Sequence, residues 1–425
     1  MRPMLRCSLL LLPLIATMMS VPAWLAASAS AGAGAHSGSC RPFSNNHFYA
    51  TNNGQEYMFT GLAAGDFNGD GFPDLAGNRK DRLSILLGTA KGKFREGADA
   101  DNGGAEGFMV AGDFNGDGKL DLGIGSDTHI NVLLGNGDGT FQHPRQSPSS
   151  MLSTFMVTAD FNGDGKLDIV LVGGVNPDLQ VSLGKGDGTF QEPVIYTTGV
   201  ASYAIAVADF DGNGTLDLAV ANYSRPTGSE VSVLLGKGDG TFRSKVDYRV
   251  RPDPTGVVAA DFDDDGKPDL AVAGYLAGTV EVFRGRGDGT FRKPDVYQVP
   301  TRNSLWGLVA FRFEPGDRIG LAATGTSGTY VFVNNGHGKF QPAMGYNPAS
   351  LLPVVADFNR DGRMDLAFTN GEYIDDSIGV LFGKGDGFFA SSNMIPTELE
   401  IPTAKSGLPS PLKFRPTTPA TPTLL

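Results

Sequence analysis

Cysteine is nearly missing from this chain. Cys7 and Cys40 are the two present among 425 residues, and Cys7 lies in an N-terminal segment with the features of a secretory signal. Removal of that segment leaves Cys40 alone, which excludes an intrachain disulfide in the mature chain. Ser37-Gly38-Ser39 before Cys40 also lacks the aliphatic residue expected at a lipid attachment site. A secreted protein without disulfides needs another source of stability, and a metal ion is the obvious candidate.

Sustained helical periodicity and an excess of basic residues are missing as well. Beyond the N-terminus no long stretch repeats apolar residues every 3.6 positions. The 59 glycines are nearly twice the usual share, and they indicate many turns and therefore many short strands. The formal net charge is −12, which argues against nucleic acid as a partner. The composition therefore predicts an acidic, all-β protein.

Composition also divides the chain. Arg2 and Arg6, an apolar run over 9–19 and small residues around 27–29 are typical of a signal peptide, and the run is too short for a transmembrane helix. The predicted segments are a signal peptide (1–31), an N-terminal lead-in (32–54), a repeat domain (55–392) and a Pro/Thr-rich tail (393–425). The tail has no periodicity, which is typical of disordered or extended linkers. We expect a secreted or cell-surface protein without a transmembrane span.

Two sequence landmarks recur along the repeat domain. Intact copies of the first, close to Asp-Phe-Asn-Gly-Asp-Gly-x-x-Asp, begin at Asp66, Asp113, Asp160, Asp209, Asp261 and Asp357. Copies of the second, close to Leu-Leu-Gly-x-Gly-Asp-Gly-Thr-Phe, end at Phe94, Phe141, Phe190, Phe242, Phe291, Phe340 and Phe389. A degenerate copy of the first is recovered at 312–320. Successive loops then start 47, 47, 49, 52, 51 and 45 residues apart.

Each repeat contains about four short strands joined by tight turns, which is the size of a propeller blade. In the repeat that begins at Asp209, for example, 231–235 alternates like a half-buried strand. A solenoid would tolerate any number of repeats and would need caps, whereas seven repeats close a ring that leaves only short edges. We therefore predict an all-β fold, a seven-bladed β-propeller of four-stranded blades.

The first landmark has the features of a calcium-binding loop. Its positions 1, 3, 5 and 9 carry oxygen-bearing side chains, glycine at position 6 allows a sharp turn, and the variable position 7 would offer its backbone carbonyl. Asp, Asn and Gly are also good turn formers, but clustered carboxylates repel one another without a cation. Ca²⁺ suits such a cage better than Mg²⁺ does, and Mg²⁺ remains the alternative ion at some of the sites. The predicted ligands of about six structural Ca²⁺ ions are Asp66, Asn68, Asp70, Phe72, Asp74, Asp113, Asn115, Asp117, Lys119, Asp121, Asp160, Asn162, Asp164, Lys166, Asp168, Asp209, Asp211, Asn213, Thr215, Asp217, Asp261, Asp263, Asp265, Lys267, Asp269, Asp357, Asn359, Asp361, Arg363 and Asp365.

The sixth loop has lost this cage. Arg312, Glu314, Gly316 and Gly320 occupy its ligand positions, while Phe313 remains at position 2. The persistence of the aromatic ring predicts that position 2 packs in the core of every blade and is not a ligand. Our hypothesis for Arg312 is that its guanidinium partly replaces the ion by pairing with nearby acceptors.

The repeats resemble the FG-GAP/VCBS family over about residues 55 to 390, as Asp113 to Leu122 and Leu133 to Phe141 illustrate. Propellers of integrin α-subunits and secreted fungal and bacterial proteins are similar. The resemblance implies structural calcium loops on one face of the disc, with partners of the integrin relatives on the opposite face. The chain departs from the integrin pattern in having six metal loops and no other integrin domain, so integrin function is not carried over.

These features favour a monomeric binding or adhesion module for an extracellular carbohydrate or protein. Loops on a rigid scaffold usually carry function, and exposed aromatic rings suit sugar faces and partner hot spots. The candidate contacts are Trp306, Tyr223, Tyr275 and Tyr373, each of which could instead pack within the fold.

The alternative is a calcium-dependent polysaccharide lyase or hydrolase on the same propeller. Catalysis needs an acid or base with a tuned pKa in a cleft. The histidines, at positions 36, 47, 129, 143 and 337, form no recognisable constellation, so no catalytic residue is predicted. Arg286-Gly287-Asp288 matches a tripeptide known as an integrin ligand, but the same turn reads Lys-Gly-Asp at Lys185, Lys237 and Lys384. We therefore predict a turn there.

Overall fold

Each repeat folds into one antiparallel sheet, because short apolar stretches alternate with turns rich in glycine and aspartate. The computed structural model describes residues 47–50, 60–79, 82–173, 178–199, 201–223, 229–251, 253–300, 304–314, 316, 318–346, 350–370, 377–385 and 387–390. The predicted signal peptide, most of the lead-in, Cys40 and the predicted tail lie outside these residues. Within the described part of the chain, no helix has the length and hydropathy needed to cross a bilayer.

The strands follow one another in the order of the blades. Blade 1 contains β2 (Gly61–Gly65), β3 (Asp74–Asn78), β4 (Leu83–Thr89) and β5 (Lys93–Glu96). Blade 2 contains β6 (Met109–Gly112), β7 (Asp121–Gly125), β8 (His129–Leu133) and β9 (Arg145–Pro148). Blade 3 contains β10 (Phe155–Ala159), β11 (Asp168–Val172), β12 (Asp178–Ser182) and β13 (Val194–Thr197). Blade 4 contains β14 (Ala201–Ala208), β15 (Asp217–Tyr223), β16 (Glu230–Leu234) and β17 (Val246–Arg249).

The remaining blades vary this plan. Blade 5 contains β18 (Pro254–Ala260), β19 (Asp269–Gly274), β20 (Thr279–Phe283) and β21 (Asp295–Gln298). Blade 6 contains β22 (Leu305–Arg312), β23 (Ile319–Gly325), β24 (Gly328–Phe332) and β27 (Met344–Tyr346), with a small hairpin of β25 (Asn334–Gly336) and β26 (Lys339–Phe340). Blade 7 contains β28 (Ser350–Ala356), β29 (Asp365–Asn370), β30 (Ser377–Gly383) and β31 (Phe389–Ala390), joined by β1 (His47–Ala50). The predicted seven-bladed propeller of four-stranded blades is confirmed.

The first strands of the blades surround the axis. Each contacts the first strand of the next blade, and β28 of blade 7 contacts β2 of blade 1, which completes the circle. Buried apolar side chains of the described residues form seven clusters, and each cluster joins two neighbouring blades. The core is therefore a set of junctions between blades, and each blade depends on its neighbours for burial of its faces.

The ring is closed by strands from both ends of the chain. β1 pairs antiparallel with β30, from His47 opposite Val380 to Ala50 opposite Ser377. β1 lies upstream of the predicted domain boundary at residue 55, so the lead-in contributes an outer strand to the last blade. The rings of Phe94 and Phe358, from the first and last blades, meet edge to face with centroids 5.6 Å apart.

Up-and-down strand order gives the disc two distinct faces. The connections from first to second strand and from third to fourth strand lie at one end of each blade, here named the loop face. The other two connections lie at the opposite face. The nine-residue Asp-rich loops and the Gly-Asp-Gly turns are therefore neighbours on the loop face.

Candidate metal loops

The intact loops share one pattern of hydrogen bonds between aspartates and backbone amides. In the second loop, Asp113 Oδ1 accepts from the Gly116 amide at 2.7 Å and Asp113 Oδ2 accepts from the Gly118 amide at 2.8 Å. Gly118 has a φ of +80°, which glycine adopts at little cost. Asp117 Oδ1 accepts from the Lys119 amide at 3.0 Å. A carboxylate oxygen can accept in more than one direction, so these bonds leave capacity for a cation.

The position-1 aspartate bonds the position-6 glycine in all six intact loops. The pairs, from Asp Oδ2 to Gly N, are Asp66 with Gly71 (2.8 Å), Asp113 with Gly118 (2.8 Å), Asp160 with Gly165 (2.8 Å), Asp209 with Gly214 (2.7 Å), Asp261 with Gly266 (2.8 Å) and Asp357 with Gly362 (2.8 Å). The repeat in sequence is therefore a repeat in geometry.

Position 9 has a second role that the sequence did not indicate. Each of these aspartates is fully buried and accepts two backbone N–H donors, one from position 2 of its own loop and one from the glycine of the Leu-Leu-Gly motif. In the third blade, Asp168 accepts from Phe161 at 2.9 Å and from Gly184 at 2.7 Å. The same pair of bonds forms at Asp74, Asp121, Asp217, Asp269 and Asp365. The carboxylate ties the loop to the third strand.

Burial raises the pKa of these carboxyl groups, so their ionisation costs free energy when no cation is bound. Desolvation raises the pKa of Asp74 and of Asp269 to about 6, and that of Asp365 to about 7, although their amide hydrogen bonds act in the opposite direction. The pKa values of Asp121, Asp168 and Asp217 are also raised, chiefly by burial. Neighbouring aspartates add to each shift. A bound cation would remove this cost.

Two loops bring three carboxylates especially close together. In the fourth loop, one carboxylate oxygen from each of Asp209, Asp211 and Asp217 lies within 4.8 Å of the other two. In the fifth loop, the same holds for Asp261, Asp263 and Asp265. One Ca²⁺ with oxygens at about 2.4 Å spans that separation. Among the described residues, Asp263 Oδ1 is buried without a hydrogen-bond partner. In the other four intact loops position 3 is asparagine, and the three aspartates do not form so close a group.

Comparison with known protein families identifies the same tandem repeats. The profile of the FG-GAP-like repeat matches residues 66–124, 113–171, 160–220, 213–272 and 261–313, which together make up more than half of the chain. The chain belongs to the FG-GAP-like repeat family. Its membership rests on the tandem loops described above. A search of curated protein sequences finds no match.

Solved structures share the propeller of these FG-GAP-like repeats at low identity. A lectin of Agrocybe aegerita, described for specific recognition of non-reducing terminal N-acetylglucosamine, aligns with a TM-score of 0.50 at 20% identity, over 68% of this chain and 81% of the lectin. BBS1N in complex with ARL6DN aligns at 11% identity in two crystals. The lead-soaked crystal has a TM-score of 0.54 over 76% and 91% of the two chains, and the mercury-soaked crystal 0.55 over 78% and 96%. These likenesses concern the fold alone.

The aromatic residue at position 2 of the FG-GAP-like loops packs in the core, as predicted. Phe67, Phe114, Phe161, Phe210, Phe262, Phe313 and Phe358 are each at most 4% exposed. In six of the seven junctions its ring contacts the phenylalanine that ends the second landmark of the next blade. In the junction of blades 6 and 7, Phe311 stands between Phe313 and Phe389. Each edge-to-face pair adds about 0.5–1.5 kcal/mol beyond burial.

The sixth loop is rebuilt around its missing aspartate. Where other blades have the glycine bonded by position 9, blade 6 has Asn334, whose Nδ2 donates to the carbonyl of Ile319 at 3.0 Å and to that of Phe262 at 2.7 Å. Elsewhere, a Cβ at this site would collide with backbone, as at Gly135 against the Leu120 carbonyl. In this repeat, Gly320 replaces the aspartate of position 9 and Asn334 replaces the glycine to which that aspartate is bonded in the other blades. This joint change is the sequence signal that could have revealed the role of position 9.

The positive charge that pairs with the sixth loop comes from the next blade. Glu314 accepts from Nε of Arg363 at 2.7 Å, and Arg363 occupies position 7 of the seventh loop. Arg312 is exposed, and its proposed replacement of the ion stays a hypothesis. A guanidinium does lie at the loop without a metal cage, that of Arg363, which pairs with Glu314.

The predicted aromatic contacts have different surroundings. Tyr275 is 4% exposed and its ring lies 4.8 Å from that of Trp306, which is half-buried. Tyr223 is half-buried beside Tyr203, at 5.9 Å. Tyr373 lies outside the described residues. The Arg-Gly-Asp segment forms a turn, because Asp288 Oδ1 accepts from the amide and hydroxyl of Thr290.

Substitution in an intact loop and in the sixth loop should separate metal binding from turn formation. We expect Asp164→Ala to lower thermal stability in calcium, because it removes a predicted ligand, and to have little effect in chelator, where the exposed carboxylate only bonds its own loop. Glu314→Ala should cost less than about 1 kcal/mol, since it removes a partly exposed ion pair, and equally with and without calcium. Melting curves of both variants in calcium and chelator provide the measurement. A calcium-independent loss at Asp164 would mean that the loop is only a turn.

Proposed function

We propose that the chain is a secreted or cell-surface, calcium-stabilised propeller that binds an extracellular carbohydrate or protein partner. The observation that carries the calcium part is the convergence of three carboxylates within 4.8 Å in the fourth and fifth loops. All six intact loops place oxygen-bearing side chains at positions 1, 3, 5 and 9, so the same ion would suit all of them. Carboxylate and carbonyl oxygens are the ligands that Ca²⁺ prefers.

The ion would be held by positions 1, 3, 5 and 9 and by the carbonyl of position 7. It would neutralise carboxylates that are buried or crowded and so fix the loop against the next blade. The loops with an aspartate at position 3 already have partial compensation. Oδ2 of Asp211 lies 3.9 Å from Nη1 of Arg243, and Oδ2 of Asp263 lies 3.5 Å from Nε of the buried Arg284. These contacts support a need for positive charge beside the carboxylates of the fourth and fifth loops.

Anchored connections on the opposite face support a binding role. Buried polar side chains on the third strands hold the peptide segments that join one blade to the next. Asn131 Nδ2 donates to the Asn102 carbonyl at 2.8 Å, Gln180 Oε1 accepts from the Ser150 amide at 2.9 Å, and Glu281 Oε1 accepts from the Arg251 amide at 2.7 Å. A surface held in one conformation loses less entropy on binding. The related folds of a lectin and of a protein-bound propeller are consistent with such use.

The N-terminal sequence supports export, and a direct test of binding follows from it. Purified protein without the predicted signal peptide is applied to a glycan array and to extracellular protein fractions, in calcium and in chelator. We expect binding to depend on calcium, because the proposed ions fix each intact loop against the next blade and so stabilise the folded propeller that carries the binding surface. Failure to bind either class in calcium would contradict the proposed function.

The metal-free protein should show an unusual dependence of stability on pH. Its buried Asp365 has a pKa of about 7, and Asp74 and Asp269 of about 6, against a reference of 3.8. Between the reference and these values the native state binds more protons than the unfolded chain, so stability falls as pH rises from about 4 to about 7. We expect the melting temperature of metal-depleted protein to fall over that window. With calcium bound the carboxylates stay ionised and this fall should disappear. A rise with pH in the metal-depleted protein would contradict the account.

A further inference from the structure

The first strands of blades 4 to 7 differ from those of blades 1 to 3 at the opposite face. Strands β14, β18, β22 and β28 each contain an irregularity in register near their first residues, at 202–204, 254–256, 305–307 and 351–354. Strands β2, β6 and β10 pair without one. A bulge leaves one residue unpaired and redirects its side chain, and bulges are frequent next to functional sites. The unpaired residues in blades 4, 5 and 6 are Tyr203, Thr255 and Trp306.

Two of these bulged residues are aromatic, and each is braced by a tyrosine at the end of a second strand. The rings of Tyr203 and Tyr223 meet at 5.9 Å with an angle of 74°, and those of Trp306 and Tyr275 at 4.8 Å with an angle of 64°. Tyr275 is buried, whereas Trp306 keeps part of its surface in solvent. Edge-to-face contact fixes the orientation of each ring. These four residues are named the aromatic platform.

Asp253 connects the two halves of the aromatic platform. Its carbonyl accepts from the Tyr275 amide at 2.7 Å, and its charge, after burial and Tyr223, contributes to raising the pKa of Tyr203. Asp253 is 1% exposed and has a φ of +67°, a left-handed conformation that aspartate adopts more readily than most other residues. Thr255 Oγ1 donates to the Leu305 carbonyl at 2.7 Å and so ties the bulge of blade 5 to that of blade 6.

The surroundings of the platform favour a sugar over a protein partner. Among the described residues of this face, Leu276 is the one large apolar side chain with strong exposure, at 46%. A protein interface needs a broader apolar centre, whereas a pyranose needs one or two aromatic faces with hydroxyl groups nearby. The charged residue that joins the two halves of the platform is the acidic Asp253, which disfavours acidic polymers at this site.

We propose that the aromatic platform binds a neutral oligosaccharide, with a pyranose ring against Trp306 and hydroxyl contacts from Tyr203. Asp253 is a positioning residue in this site. The inference rests on the proposed binding function and assigns it to blades 4 to 6 of the opposite face.

A glycan array followed by calorimetry tests this assignment. Wild-type protein in calcium should bind neutral oligosaccharides, and Trp306→Ala and Tyr203→Ala should each weaken binding of the best one by about tenfold or more. Phe388→Ala is the matched control, because this phenylalanine is 45% exposed on the loop face, and it should bind like wild type. Trp306→Leu removes the ring with less loss of volume if Trp306→Ala lowers the melting temperature. Trp24 and Trp306 are the two tryptophans of the sequence, and Trp24 lies in the predicted signal peptide, so in protein without that segment saturable quenching of tryptophan fluorescence reports on Trp306 alone.

The outcomes separate the site from the function. Unchanged affinity in folded Trp306 and Tyr203 variants would overturn the platform and leave the proposed binding function standing. Binding of acidic glycans alone would overturn the ligand class. A flat array, with capture of a protein partner that survives both substitutions, would also overturn the platform while supporting the broader function.

Discussion

Removal of calcium is expected to lower the melting temperature of the propeller by about 10 °C or more. A single site at a hundred times its Kd adds about 2.7 kcal/mol to the stability of the folded state, and six loops have oxygen-bearing side chains at the same four positions. Without the ion, buried aspartates such as Asp365, whose pKa is raised to about 7 by burial, must be protonated or bear their desolvation cost. Differential scanning fluorimetry in calcium and in chelator provides the measurement.

Magnesium and ionic strength are the controls for this experiment. Mg²⁺ demands compact octahedral geometry and retains its waters, so it should restore less stability than Ca²⁺ at equal concentration. Sodium chloride should have only a small effect, since it screens charge without filling a cage. Equal melting temperatures in chelator and calcium would count against structural metal in these loops.

Loss of a position-9 aspartate is expected to cause the largest effect of any single loop substitution. Asp168→Ala leaves the amides of Phe161 and Gly184 buried without their acceptor. Each of the two orphaned donors costs about 1–3 kcal/mol, so the variant should lose about 2–6 kcal/mol even in chelator. Asp164→Ala is the matched control, because its carboxylate is exposed and should matter only when calcium is present. Chemical denaturation of both variants in chelator distinguishes the two roles, and equal small losses would remove the structural role of Asp168.

The fold could be predicted from sequence because its elements are local and repeated. Six loops with acceptors at fixed positions and seven copies of the second landmark give the number of blades directly, and the surviving Phe313 identifies position 2 as a core residue. These signals depend on residue type and spacing within about 50 residues, which a single chain displays many times.

Other features escaped prediction because they join residues that are distant in sequence. The pairing of β1 with β30 connects His47–Ala50 to Ser377–Gly383, and no pattern in either segment announces the other. The double hydrogen bond of each position-9 aspartate depends on a glycine 14 to 19 residues later. The bulge at Trp306 reflects one extra residue in a strand, and its consequence is visible only once the register is known.

Metal content of the purified, folded protein tests the central claim most directly. Native mass spectrometry should find six calcium ions per chain after dialysis in calcium, and five after loss of one loop by Asp164→Ala. A folded chain that carries no bound metal under these conditions would contradict the account.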